Sequence, residues 1–185
     1  LDHLMAQKGF ALVRYADDFV ILCRSPEEAT QALAAVQEWT AAAGLTLHPT
    51  KTRIVNATDD GFEFLGYRFE NGKRYPRTKS LEKLKDTIRA KTKRTSGQCL
   101  RAIIGSLNPT LRGWFEYFKH SDRWTLTRLD QWIRMRLRSL LRKRLGLKGR
   151  GRGADHHRWP NAFFAKQGLY SLKTAHELAC QSSSR

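Results

Sequence analysis

Cysteine is scarce and poorly spaced: Cys23, Cys99 and Cys180 are an odd number, lie far apart and form no C-x-x-C pair. That excludes a disulfide framework and a structural zinc knuckle, and suits a reducing compartment. Long apolar runs are missing as well. No stretch of about 18 apolar residues exists, and the N-terminus lacks the basic-then-apolar order of a secretory signal. The expectation is a cytoplasmic protein with no membrane partner. The most uneven shortage is of acid. Residues 73–152 carry 5 acidic side chains against 24 basic ones, whereas residues 1–72 carry 10 against 6.

The whole chain has 34 Lys and Arg, 17 Asp and Glu, and a net charge of +17. Such a surplus attracts a polyanion, so nucleic acid is the first partner to consider. A solvated basic tail would lack Trp, Leu, Ile and Phe at helical spacing, and the basic block has them.

Along the chain, Phe10 to Val13 and Phe19 to Cys23 are short apolar runs flanking Tyr15-Ala16-Asp17-Asp18, which predicts a hairpin with its acids at the turn. Ser25-Pro26-Glu27-Glu28 supplies a cap, a proline at the first helical position and a glutamate three residues after the cap. Ala29, Ala32, Leu33, Val36 and Trp39 share the face of the following helix, and Gly44 ends it. Leu45 to Leu47, Thr52 to Val55 and Phe62 to Phe69 read as strands, the last two separated by Asp59-Asp60-Gly61.

Beyond Ser80 the period becomes helical. Leu81, Leu84 and Ile88 define one helix, and Asn108-Pro109 predicts the start of another carrying Leu111, Trp114, Phe115 and Phe118. A third, over residues 127–145, turns Leu129, Trp132, Ile133, Leu137, Leu140 and Leu141 inward. Arg128, Arg134, Arg138, Arg142 and Lys143 are expected mostly on its outer face as a basic rail. KGRGRG, residues 148–153, reads as a flexible linker touching phosphates. A Trp159-Pro160 turn, the Phe163-Phe164 pair and a short helix near Leu172 to Ala179 follow, and the last five residues are expected to lack structure. Trp114, Trp124, Trp132, Tyr117 and Phe118 could stack on bases, but Trp114, Phe118 and Trp132 sit at core spacing, and none is taken as a site.

Two adjacent carboxylates at a hairpin tip repel each other unless something positive offsets them. A divalent cation does so. Hard oxygen ligands suit Mg²⁺, which takes one or two carboxylates plus substrate phosphates, and two such ions can stabilise the attacking and leaving oxygens of phosphoryl transfer. Read alone, Asp17-Asp18 could equally be surface turn punctuation.

In context, RYADDFVIL (residues 14–22), the capped helix and GLTLHPTKT (residues 44–52) together resemble motifs C and D of reverse transcriptases of the group II intron type. FEFLGYRF (residues 62–69) resembles the primer-grip hairpin that follows, and LNPTLRGW (residues 107–114) resembles the maturase domain, the thumb of these enzymes. The resemblance covers most of the chain.

It implies that Asp17 and Asp18 hold Mg²⁺ in a two-metal site completed by an upstream aspartate, which this chain begins too late to contain. Tyr15 and Ala16 would line the minor-groove side near the primer end, and Lys51 would lie by the incoming nucleotide's phosphates. Gly66 would permit close approach to the primer, and Arg112 joins the five basic residues of the third helix as a contact to nucleic acid.

The fold expected is α+β: half of a polymerase palm over residues 1–75, a three-helix thumb over 76–147, and a basic linker with a short C-terminal segment over 148–185. The implied parent copies RNA into DNA and helps its intron splice, with group II intron RNA and an RNA template/DNA primer as partners. A missing N-terminal half or a second copy could complete the palm, and the chain by itself is expected to bind RNA without polymerising. The alternatives are a non-catalytic RNA-binding splicing factor, a retron-like reverse transcriptase, against which LNPTLRGW argues, and a basic structural protein, which leaves the aspartate pair unexplained. His156, His157, His176 and Cys180 lack zinc-ligand spacing, so no endonuclease domain is expected.

Overall fold

The Ser25-Pro26-Glu27-Glu28 start folds as read. In the computed structural model, which describes residues 1–182, the Glu28 amide donates to Ser25 Oγ at 3.2 Å. The Glu28 carboxylate reaches back to the Arg24 amide at 2.6 Å. One orphan donor of the first turn is thereby satisfied, and the Glu28 side chain ties the residue before the cap to that turn. The helix runs Pro26–Ala42 and ends on Gly44, whose φ of 68° suits a residue without Cβ. There the Gly44 amide donates to Ala41 O and the Leu45 amide to Thr40 O, the paired bonds of a Schellman end.

Among the described residues the order is α1 (Asp2–Gln7), β1 (Ala11–Tyr15), β2 (Asp18–Leu22), α2 (Pro26–Ala42), β3 (Phe62–Phe64), β4 (Tyr67–Glu70), β5 (Lys73–Pro76), α3 (Thr78–Lys91), α4 (Leu100–Phe118), α5 (Arg123–Arg144), α6 (Ala154–Arg158), α7 (Asn161–Lys166) and α8 (Leu172–Ser182). Two small sheets, of two and three strands, accompany the helices, so the α+β expectation holds. The chain divides into two units, Leu1–Gly72 and Lys73–Arg185.

In the first unit β1 and β2 pair antiparallel, and α2 packs Ala35 and Val36 on Met5 of α1, with Leu4, Phe10, Phe19, Ile21 and Leu47 around them. Two expected strands, Leu45 to Leu47 and Thr52 to Val55, are irregular. An extended segment becomes a strand only when a ladder partner takes up its backbone groups, and neither finds one among the described residues. Phe62 to Phe69 is a tight hairpin rather than one strand: Phe64 pairs with Tyr67, and Leu65 and Gly66 make the turn with φ of 47° and 76°. Positive φ at both central residues matches the right-handed twist of the flanking strands.

The second unit is built on α3, α4 and α5. Leu84, Ile88, Ile103, Ile104, Leu107, Leu111, Phe115, Leu126, Leu129, Ile133, Leu137 and Leu140 form its core, as the helical period requires. Asn108-Pro109 does not start a helix. α4 begins eight residues earlier, at Leu100, and Pro109 lies inside it. A proline here removes one helical donor and crowds the preceding turn. The Ser106 carbonyl in that turn accepts from Lys91 Nζ at 2.9 Å.

The C-terminal segment belongs to this core. Phe164 and Leu172 are fully buried in it, flanked by Trp159, Phe163, Leu169 and Tyr170. Asn108 holds the α7–α8 connection from both sides, donating to Gly168 O at 2.8 Å and accepting from the Tyr170 amide at 2.9 Å. Asp130 of α5, itself buried, accepts from Ser171 Oγ and from the Leu172 and Lys173 amides. A carboxylate thus caps the N-terminus of α8, where anions are favoured. Of the five residues expected to lack structure, Gln181 and Ser182 end α8, and residues 183–185 lie outside the described residues.

Candidate nucleic-acid interface and carboxylate hairpin

In the β1–β2 register Tyr15 faces Asp18, so Ala16 and Asp17 form a two-residue loop. Ala16 has a φ of 54°, a left-handed conformation that costs a residue with Cβ about 1 kcal/mol. The hairpin holds it because both strands put apolar side chains, Leu12, Phe19 and Ile21, on the small core. Asp17 and Asp18 are exposed, and neither side chain has a hydrogen bond or ion pair among the described residues. Tyr15 beside them is 67% exposed.

No group of three or more His, Cys, Asp or Glu residues gathers anywhere among the described residues. The hairpin therefore offers two hard oxygen donors and no protein cage. That donor set fits an ion such as Mg²⁺, which draws its remaining ligands from phosphates and water. Lys51 is exposed in the turn after His48, where Thr52 N donates to His48 O at 3.1 Å. No hydrogen bond or ion pair joins Lys51 to the aspartates. Gly66 is accounted for by the β3–β4 turn itself.

The basic residues separate into two kinds. Arg128 and Lys143 on α5 and Arg112 on α4 are exposed, with Arg112 lying over the Tyr170 ring at 4.8 Å. Arg134, Arg138 and Arg142, expected on an outer rail, instead turn into the protein. Arg138 is 2% exposed, donates Nε to Trp159 O and Nη2 to Asn161 Oδ1, each at 2.9 Å, and lies over the Phe164 ring. Arg142 donates to Asp155 Oδ2 at 2.8 Å and to Lys148 O at 2.8 Å, and Arg134 is 3.8 Å from Asp130.

The reason is that residues 148–164 cover this face of α5. KGRGRG is a docked segment. Its Gly151 amide donates to Ser139 Oγ, and a Cβ on Gly151 would meet Arg138 Cβ at 2.7 Å. Burial lowers the pKa of Arg138, with neighbouring Arg134 adding to the shift. The Arg152 amide holds the Asp155 carboxyl below its ordinary range, and Arg142 lowers it further. Breaking such a buried cation from its acceptors would leave several polar groups unpaired.

Sequence reasoning passed over exposed cations elsewhere: Lys79 and Lys83 on α3, and Lys93, Arg94 and Arg101 around the α3–α4 connection. Lys79 and Lys83, four apart and opposite Leu81, Leu84 and Ile88, were detectable by the same period that gave the core.

A helical unit rich in exposed cations, on a chain that also carries an exposed carboxylate pair on a hairpin, suits a protein that handles nucleic acid. Residues 1–69 match the reverse transcriptase (RNA-dependent DNA polymerase) family, and residues 81–159 match the group II intron, maturase-specific domain. The chain belongs to the group II intron reverse transcriptase/maturase family. No curated protein matches it at a significant level. No described helix is long and apolar enough to cross a membrane.

Proposed function

We propose that this chain holds structured group II intron RNA through the exposed lysines and arginines of its helical unit, and that the Tyr15–Asp18 hairpin contributes two carboxylates to a Mg²⁺ site for nucleotidyl transfer. The observation that carries the RNA reading is the 24-to-5 excess of basic over acidic side chains in residues 73–152, many of them exposed on packed helices. Phosphate contacts made by such a surface supply affinity and salt dependence.

The ion, when bound, supplies charge neutralisation at the attacking and leaving oxygens. Asp17 is the stronger direct ligand, with Asp18 beside it. Tyr15 and Ala16 face the primer end, Lys51 donates a proton or offsets charge at the nucleotide's phosphates, and the Gly66 turn lets the primer approach. Arg112, Arg128 and Lys143 contact RNA or the template/primer duplex. Arg134, Arg138 and Arg142 act through the fold. RNA binding by the helical unit does not depend on the carboxylates, so the two roles are separable by substitution.

The test is binding to a labelled group II intron RNA domain and to an unrelated structured RNA of equal length across a salt series. Tighter binding to the intron RNA is expected. Equal binding to both with a steep salt slope would reduce the unit's role to electrostatics, and no binding at low salt would overturn the reading.

A further inference from the structure

Aromatic side chains are covered almost everywhere in this protein. Trp39, Trp114, Trp132 and Trp159 are all at least half-buried, and no phenylalanine is exposed among the described residues. Outside the carboxylate hairpin two break the pattern, Tyr117 at 57% and Trp124 at 59% exposure, and they flank one tight corner. Tyr117 stands in the last turn of α4 and Trp124 in the first turn of α5. Single exposed aromatics are ordinary on a surface. Tyr117 also meets the Phe118 ring edge-on at 4.8 Å, whereas packing does not explain a tryptophan as exposed as Trp124 on a chain that at least half-buries its other four.

The corner is also rigid and positive. The Asp122 carboxylate accepts from the Trp124 amide at 2.9 Å and fixes the start of α5. The Asp122 amide donates to Arg74 O at 2.7 Å, which ties exposed Lys73 and Arg74 to the same place. Arg123 lies over the indole, 5.5 Å from its centroid, and exposed Arg128 follows Trp124 by one helical turn. Of the two nearby acids, Asp122 is engaged by the Trp124 amide and Glu116 is paired with Lys119 at 3.5 Å. Exposed rings set among free cations are what unpaired nucleobases require, because the ring takes the base face while the cations take the flanking phosphates. A paired helix hides its base faces and could use only the cations.

We propose that Trp124, at the corner that Tyr117 also flanks, is a stacking platform for an unpaired base of the bound RNA, and that Arg74, Arg123 and Arg128 hold the adjoining phosphates. This rests on the RNA-binding reading and adds to it a preference for looped over fully paired RNA.

The experiment uses the full chain, an RNA hairpin with 2-aminopurine in its loop and a fully paired RNA of equal length. The intact chain and Trp124→Phe should quench the loop fluorophore on binding. Trp124→Ala should lose the quench and about tenfold in affinity for the looped RNA, with affinity for the duplex and thermal melting unchanged. If Trp124→Ala quenches and binds as the intact chain does, or loses affinity for loop and duplex alike, the platform is wrong while the RNA-binding reading stands. If the intact chain binds neither RNA, both fall.

Discussion

Fourteen buried apolar side chains form the core of the helical unit, whereas three, Met5, Ala35 and Val36, do so in the unit before it. The helical unit also buries polar groups in matched sets, with Asp130 capping α8 and Arg138 holding Trp159 and Asn161. The first unit leaves Val13, Leu22, Leu45 and Ile54 between 47% and 57% exposed. One unit can therefore hold its shape as a binding surface. The other presents a two-stranded hairpin, an arrangement marginal in water unless further strands or helices cover it.

Hydrogen exchange should show the largest contrast. Amides of residues 80–145 should exchange far more slowly than those of residues 1–24, and uniform protection along the chain would erase the distinction. Core truncation should separate the units next. Leu137→Ala is expected to cost about 3 kcal/mol in the stability of the helical unit, against about 2 kcal/mol for Val36→Ala in the first unit, both read from urea melts. A smaller cost, about 1–2 kcal/mol, is expected for Asp130→Asn, which weakens the α8 cap. Its signature is faster exchange of the Leu172 and Lys173 amides with the rest of the unit still protected.

The helices were legible because their apolar period survives a dense basic background: Leu84, Ile88, Leu129, Ile133 and Leu137 all lie where spacing puts them. The aspartate hairpin was legible for a similar reason, since alternating apolar runs flank a short polar turn. The fate of the arginines was not. An arginine at an outward position is solvated by default, and only partners 13 to 23 residues later, Asp155, Trp159 and Asn161, turn Arg142 and Arg138 inward. Gly151 was read as flexibility because nothing local shows that its missing side chain makes room for Arg138. Pro109 misled in the opposite sense: proline is favoured at helix starts, and here tertiary contacts carry the helix through it.

The smallest effect concerns pH. The Asp155 carboxyl is held below its ordinary range, so its stabilising contribution is present above its unfolded value near 4 and is lost as pH falls through the lower folded value. The fall in melting temperature of the helical unit between about pH 5 and pH 3 should be shallower in Asp155→Asn than in the intact chain.

The division between arginines that build the unit and cations that meet RNA is tested most directly by measuring melting temperature and salt-dependent RNA affinity together for two variants. Arg128→Gln/Lys143→Gln should melt like the intact chain, bind RNA more weakly and lower the salt slope by up to about 2, roughly one for each phosphate contact removed. Arg138→Gln should melt several degrees lower, with an unchanged salt slope at temperatures where it remains folded. An Arg138→Gln protein that melts normally and loses salt slope would contradict the account.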